Sequence, residues 1–233
     1  NIKMNIAIIP ARGGSKRIKR KNIKLFSGKP MIYFAIEAAR LSGIFDKIIV
    51  STDDEEIAQY SSSIGAEIPF IRPMNLSDDH TPTVPVISHA ISECKKNNWN
   101  IENVCCIYPA VPLLNPRHIT DAFILLLESP SKYIFPVTSF PSAIQRALKS
   151  DNKGNANPIY PEYSQIRTQD LEPAFFDAGQ FYWGHANNWT NNKSIHDNAR
   201  IIQIPEDKVV DIDTPEDWDK AELIFKYNQE KNI

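Results

Sequence analysis

Cysteine is sparse. Cys94, Cys105 and Cys106 form an odd set with one adjacent pair, which excludes a disulfide framework. No His or Cys stands at metal-ligand spacing from another, so a zinc site is excluded too. Glycine is equally scarce: 8 of 233 residues, about half the ordinary share. Neither sign of charge dominates. The 26 Lys and Arg nearly balance 28 Asp and Glu, for a net of −2, which argues against a bulk nucleic-acid binder. No apolar run approaches the roughly 18 residues of a membrane helix, and no basic segment followed by an apolar one suggests a secretory leader. The Walker spacing and Gly-x-Gly-x-x-Gly are both missing, which removes a P-loop and makes a nicotinamide-dependent oxidoreductase improbable. No Gly-x-Ser-x-Gly elbow supports a serine hydrolase.

What is present is an ordinary globular balance, 42% apolar and 23% charged, in a length that suits one domain. The expected compartment is a reducing cytoplasm, with all three cysteines acting as small buried hydrophobes. Strands are expected at Met4–Pro10, Lys47–Ser51, Ala66–Ile71, Val104–Tyr108 and Tyr133–Thr138, with a further strand in Ala178–Gly184 and a last one at Val209–Ile212. Helices are expected over Pro30–Ser42, from Asp53 to about Ser63, over Val86–Lys96 and from Asn115-Pro116 to about Glu128. Asp53 with Glu56 reads as a capping box and Asn115 as an N-cap before Pro. Thr214-Pro215-Glu216-Asp217 opens a final helix. The alternation predicts a mostly parallel sheet covered by helices, with ligands beyond the carboxyl ends of the strands. Residues 140–175 are polar and break the rhythm, which suggests a small protruding arm carrying a hairpin.

The balanced charge conceals a local separation. Seven basic residues lie between Arg12 and Lys24, directly after the first strand, and eight acids lie between Glu206 and Glu222. A basic run alone is most often a solvated surface. Its place after the first strand, with Gly13 and Gly14 adjacent, makes it a candidate polyphosphate loop. Arg12 can fork two donors onto a phosphate, and Lys16 and Lys21 add point charges. An isolated Asp-x-Asp is weak evidence. Beside such a loop, Asp211-Ile212-Asp213 suits Mg2+, because alternation puts both carboxylates on one side of a strand. Together the two clusters suggest a metal–nucleotide site.

The residues Ala7-Ile8-Ile9-Pro10-Ala11-Arg12-Gly13-Gly14-Ser15-Lys16, with Lys21-Asn22, resemble the opening motif of the CMP-sialic acid synthetase family. Val50-Ser51-Thr52-Asp53, Ile71-Arg72-Pro73, Leu76-Ser77-Asp78-Asp79 and Asp211-Ile212-Asp213-Thr214-Pro215-Glu216-Asp217 extend the resemblance in order along nearly the whole chain. It implies a three-layer α/β/α nucleotidyltransferase fold, Rossmann-like, whose protruding arm helps make a homodimer. It implies transfer of CMP from CTP to the anomeric hydroxyl of a nine-carbon 2-keto sugar acid. Arg12, Lys21 and Asp213 are then the catalytic candidates. Ala11, Arg12, Gly13, Ser15, Lys16, Lys21 and Asn22 are the nucleotide-binding candidates. Tyr108, Arg167, Gln169, Asp177 and Gln180 fall to the sugar, with Arg167 acting across the dimer interface, and Asp211 and Asp213 to Mg2+. Tyr108-Pro109-Ala110-Val111-Pro112 stands where sialic acid enzymes typically have Gln-Pro-Thr-Ser-Pro. Phe175 and Asp177-Ala178-Gly179 depart from them as well, which points to pseudaminic acid over N-acetylneuraminic acid, legionaminic acid or Kdo. The reading from a different class is a non-catalytic nucleotide-binding module on the same fold.

Overall fold

The computed structural model describes residues 2–231. Strand β1 (Met4–Pro10) has four consecutive buried residues, Ile6 to Ile9, as a strand covered on both faces requires. A two-residue-strand hairpin, β2 (Leu25–Phe26) and β3 (Lys29–Pro30), leads into α1 (Ile32–Ser42), β4 (Lys47–Ser51), α2 (Glu55–Ser63), α3 (Thr83–Lys95) and β5 (Ile101–Ile107). The chain continues through α4 (Pro116–Glu128), β6 (Ile134–Ser139), β7 (Leu148–Ser150), β8 (Ala156–Pro158), β9 (Phe175–Asp177), β10 (Phe181–His185), α5 (Ala186–Thr190), β11 (Arg200–Gln203) and α6 (Pro215–Lys231).

The main sheet runs β11-β6-β10-β5-β1-β4, with β9 paired to β6. Along that path only β10 is reversed, being antiparallel to both β5 and β6. The expected mostly parallel sheet is therefore present. Period-two alternation assigns the faces. Ala7, Ile9, Cys105, Ile107, Phe181 and Trp183 pack with α1, α2 and α4, while Ile6, Ile8, Val104, Cys106 and Tyr182 pack with α3 and α5. The result is the three-layer α/β/α arrangement. All three cysteines are buried, and burial pushes the Cys94 thiol up to about 12. From β1 the chain crosses to β4 on one side and later returns to β5 on the other. The gap beyond the carboxyl ends of β1 and β5 is thus a topological switch point.

Asn115 caps α4 as expected, accepting from the Arg117 N–H. The cap of α2 moves by one residue. Asp54, not Asp53, accepts from the Ile57 N–H, because Asp53 is engaged by the Gly13 N–H at 2.9 Å. The expected strand at 66–71 shrinks to one bridge, Ile49 to Glu67. Pro69 has no N–H to continue a ladder. The expected strand at 209–212 is also absent. Its backbone is spent locally: the Val209 N–H donates to the Glu206 carbonyl, and the Ile212 carbonyl accepts from Lys21.

Residues 140–175 carry the β7–β8 hairpin, turned by Asp151, which accepts from the Lys153 and Asn155 N–H groups at 2.9 Å each. Phe140, Ile144, Leu148, Ile159 and Tyr160 are exposed there. A separate apolar cluster of Ile18, Phe26, Met31, Ile212, Trp218 and Ala221 joins the loop after β1 to the start of α6.

Candidate active site

The switch point holds a cavity of about 330 Å3, lined by Arg12, Ser15, Lys16, Arg17, Lys21, Asn22, Arg72, Asp78, Asp79, Thr81, Thr83, Tyr108 and Asp213 among others. Its size and cationic lining suit a nucleotide. The loop after β1 delivers the cations because the apolar cluster pins Ile18 and Ile212 together. That pinning brings the acidic segment 211–213 against the basic loop, although they lie some 190 positions apart in sequence. Lys21 donates to the Ile212 carbonyl at 2.8 Å and lies 3.9 Å from the Asp213 carboxylate. Burial lowers its pKa, against the pull of Asp213 and Asp211. Arg17 pairs with Asp213 at 2.9 Å.

Asn22 is 4% exposed and donates its Nδ2 to the Arg12 carbonyl at 3.0 Å. Its Oδ1 is buried without a partner among the described residues, and the residue lines the cavity. Arg72 had no role assigned from sequence. It is 5% exposed, held by the Ser51 carbonyl at 2.7 Å and the Leu76 carbonyl at 3.2 Å, and its Nε has no partner. Its desolvated guanidinium makes a fixed cation in the cavity wall. The Arg-Pro dipeptide was visible in the sequence, but burial of its charge was not.

Asp79 was also missed as a partner. Its carboxylate joins Lys16 at 2.5 Å and Arg12, two cations of the loop. Hydrogen bonds from Lys16 and then Arg12 hold its pKa down to about 2. The folded-state pKa lies below the unfolded one, so the pair contributes stability above pH ~4 and loses it as pH falls toward 2. Acid unfolding followed by far-ultraviolet dichroism should show a shallower loss between pH 4 and 2 in Asp79→Asn. An unchanged acid limb would mean the pair adds nothing.

Some expected site residues lie elsewhere. Ala11 is wholly buried, and its N–H is spent on the Ser51 carbonyl at 2.9 Å. The Gly13 N–H, expected to face phosphate, goes to Asp53. Gly13 is required instead by packing, since a Cβ there would sit 2.6 Å from Asp54 Oδ2, whereas Gly14 has open space around it. Gln180 is buried and donates to the Lys208 carbonyl at 2.6 Å, and it is not in the lining of this cavity or of the one beside it. Arg167 is exposed on the arm and pairs with Asp170, and Gln169 lines a groove of the arm itself. Neither lines the first cavity or its neighbour within one chain.

That neighbour is a second cavity of about 570 Å3, lined by Tyr108, Phe176, Asp177, Tyr182, Asp211, Asp217 and Lys220 among others. Tyr108 belongs to both cavities, and its hydroxyl is 2.8 Å from Thr83 Oγ1 on the nucleotide side. Its ring meets that of Tyr182 edge-on at 5.2 Å. Asp177 accepts from the Tyr182 hydroxyl at 2.8 Å and from the Gly179 N–H at 2.7 Å, and bonds His196 Nε2 at 2.8 Å.

Asp211 and Asp213 do not share one wall as a strand would have placed them. Asp213 lines the first cavity and Asp211 the second, at their common border. Burial, then the Asp213 carboxylate, raises the Asp211 pKa. Two nearby carboxylates, one destabilised as an anion, form a hard-oxygen donor set beside a phosphate-binding wall. That set fits Mg2+, which takes one or two carboxylates and completes its shell with phosphate oxygens and water.

Comparison with known proteins gives the same picture. The chain is 40% identical over 227 residues to pseudaminic acid cytidylyltransferase of Campylobacter jejuni, covering 97% of this chain and 98% of that protein. It is 29% identical to CMP-N,N'-diacetyllegionaminic acid synthase of Legionella pneumophila, with 97% of each covered. Among solved structures, CMP:2-keto-3-deoxy-manno-octonic acid synthetase complexed with CTP superposes with a TM-score of 0.72 at 16% identity, over 97% of this chain and 99% of that one. This likeness shows the fold. The cytidylyltransferase family profile matches residues 6–224. The basic loop, the buried arginine and the Asp-x-Asp segment all lie within that span, and the chain belongs to the cytidylyltransferase family.

Proposed function

We propose that the chain transfers CMP from CTP to the anomeric hydroxyl of pseudaminic acid, releasing pyrophosphate. The observation that carries this reading is the pairing of two cavities at one residue, Tyr108. One is walled by phosphate-seeking cations and the other by polar and aromatic side chains. Near-full-length identity of 40% to a pseudaminic acid cytidylyltransferase supplies the choice of acid.

In-line transfer at phosphorus depends on positioning and charge compensation rather than on covalent protein chemistry. Arg12, Lys16 and Lys21 take the triphosphate, with Asp79 giving way to it. Arg72 adds a fixed charge, and Asn22 holds ribose or phosphate oxygens. Ser15 and the open backbone at Gly14 offer donors to phosphate oxygens. The sugar acid occupies the second cavity, with its anomeric hydroxyl directed past Tyr108 toward the α-phosphate. Asp213 and Asp211 hold Mg2+, which when bound neutralises charge on the α-phosphate and lowers the pKa of hydroxyls near it. The exposed apolar side chains of the arm suit burial in a homodimer, where Arg167 and Gln169 reach the partner's second cavity. The compartment is the cytoplasm, and neither nucleic acid nor membrane takes part.

Pyrophosphate release from CTP and Mg2+ should be followed in parallel with pseudaminic, legionaminic and N-acetylneuraminic acids and Kdo. Turnover with pseudaminic acid at the highest kcat/KM is expected. Preference for another acid would keep the chemistry and overturn the substrate. Silence with all four would favour the nucleotide-binding module.

A further inference from the structure

We infer that Lys220, on the first turns of α6, receives the carboxylate of the sugar acid. This rests on the proposed reaction, which brings a carboxylate-bearing substrate into the second cavity.

A charge balance leads to Lys220. The cavity already carries three carboxylates, Asp177, Asp211 and Asp217. An incoming sugar acid would add a fourth, next to the carbon whose hydroxyl reacts. Asp177 is saturated by the Gly179 N–H, Tyr182 and His196. Asp217 is spent on the cap of α6, where its Oδ2 accepts from the Asp213 N–H at 3.1 Å and the Thr214 N–H at 2.8 Å. Asp211 faces the Mg2+ position and feels Lys21. Neither Asp177 nor Asp217 can therefore welcome an anion, and both repel it.

Lys220 is the one Lys or Arg that this chain itself brings to the cavity among the described residues, and the proposed dimer would add Arg167 of a second copy. It feels Asp217 one turn back, yet it forms no ion pair at 4 Å or closer among the described residues. Lys16 and Lys21, which line the first cavity, are by contrast paired. Its ammonium is an uncommitted donor on a flexible stem, rooted in a helix whose first turn is fixed by Asp217. A lysine there supplies a point charge that follows a carboxylate through small shifts of the sugar. Lining the same cavity as Asp211, it would orient the acid so that the neighbouring anomeric hydroxyl faces the nucleotide.

The test compares the wild type, Lys220→Gln and Lys220→Arg, using the acid that the wild type turns over and its methyl ester. Loss of a charge-assisted contact should raise the KM of the acid about tenfold or more in Lys220→Gln, with the KM of CTP within twofold. Lys220→Arg should recover most of the loss. The wild type should prefer the acid to its ester, and Lys220→Gln should lose most of that preference. A merely structural role would lower activity toward acid and ester alike. Lys220→Gln with the acid KM within twofold of wild type, or with the acid-over-ester preference intact, would overturn the assignment alone. A wild type silent with every acid would overturn the underlying reaction and the assignment with it.

Discussion

Asp213→Asn should abolish Mg2+-dependent turnover, lowering kcat by at least about 10^2–10^3-fold, the usual loss when a principal charge-stabilising group is removed. Its backbone role survives the substitution, because the Asp213 N–H still donates to Asp217. The side chain's ion partners, Arg17 and Lys21, are held by other means or are exposed. Thermal unfolding should therefore stay close to wild type, which separates loss of the metal from loss of the fold. A Mg2+ titration at saturating CTP checks the point. A variant that saturates with Mg2+ at the wild-type concentration, with kcat intact, would show that the metal sits elsewhere.

The second large effect belongs to Arg12. Arg12→Ala should lower kcat/KM about 10^2-fold, because a forked guanidinium on a phosphate cannot be replaced by water or by Lys16, which is largely solvated. Arg12→Lys should recover only part, since the charge returns without the fork. In the alanine variant Asp79 is left with Lys16 alone, and Asn22 keeps its bond to the residue-12 carbonyl, which any residue supplies. Initial-rate kinetics with CTP varied will read the loss, and near-wild-type turnover would remove Arg12 from the site.

Much of this architecture was legible in sequence because its signals are local. Four buried residues in a row declare β1, Asn115-Pro116 declares the start of α4, and the basic loop after β1 announces the phosphate side. The failures share a cause, which is competition for one partner by distant groups. Asp53 and Asp54 are equally good caps on paper, and only the Gly13 N–H decides between them. Val209–Ile212 has the alternation of a strand, but Lys21 and the turn at Glu206 claim its backbone. The alternation still mattered, since Ile212 is buried between two acids. Gln180 is a sugar candidate in the sequence, yet its amide donates to the Lys208 carbonyl. Arg167 belongs to an arm whose apolar side chains are exposed in the single chain, and it is the proposed dimer that would bring it to a site.

The apolar cluster beneath the site has a consequence for when this protein becomes competent. Ile18, Phe26 and Met31 leave the ribosome early, whereas Ile212, Trp218 and Ala221 come almost two hundred residues later. A nascent chain can assemble its sheet strand by strand in order of synthesis, and Asp53, Asp54 and Asp79 are then already present to hold Gly13, Arg20 and Lys16. What waits for the last segment is the packing of Ile18 and the partners of Lys21 and Arg17. The wall that joins the basic loop to Asp213 therefore closes last in order of synthesis.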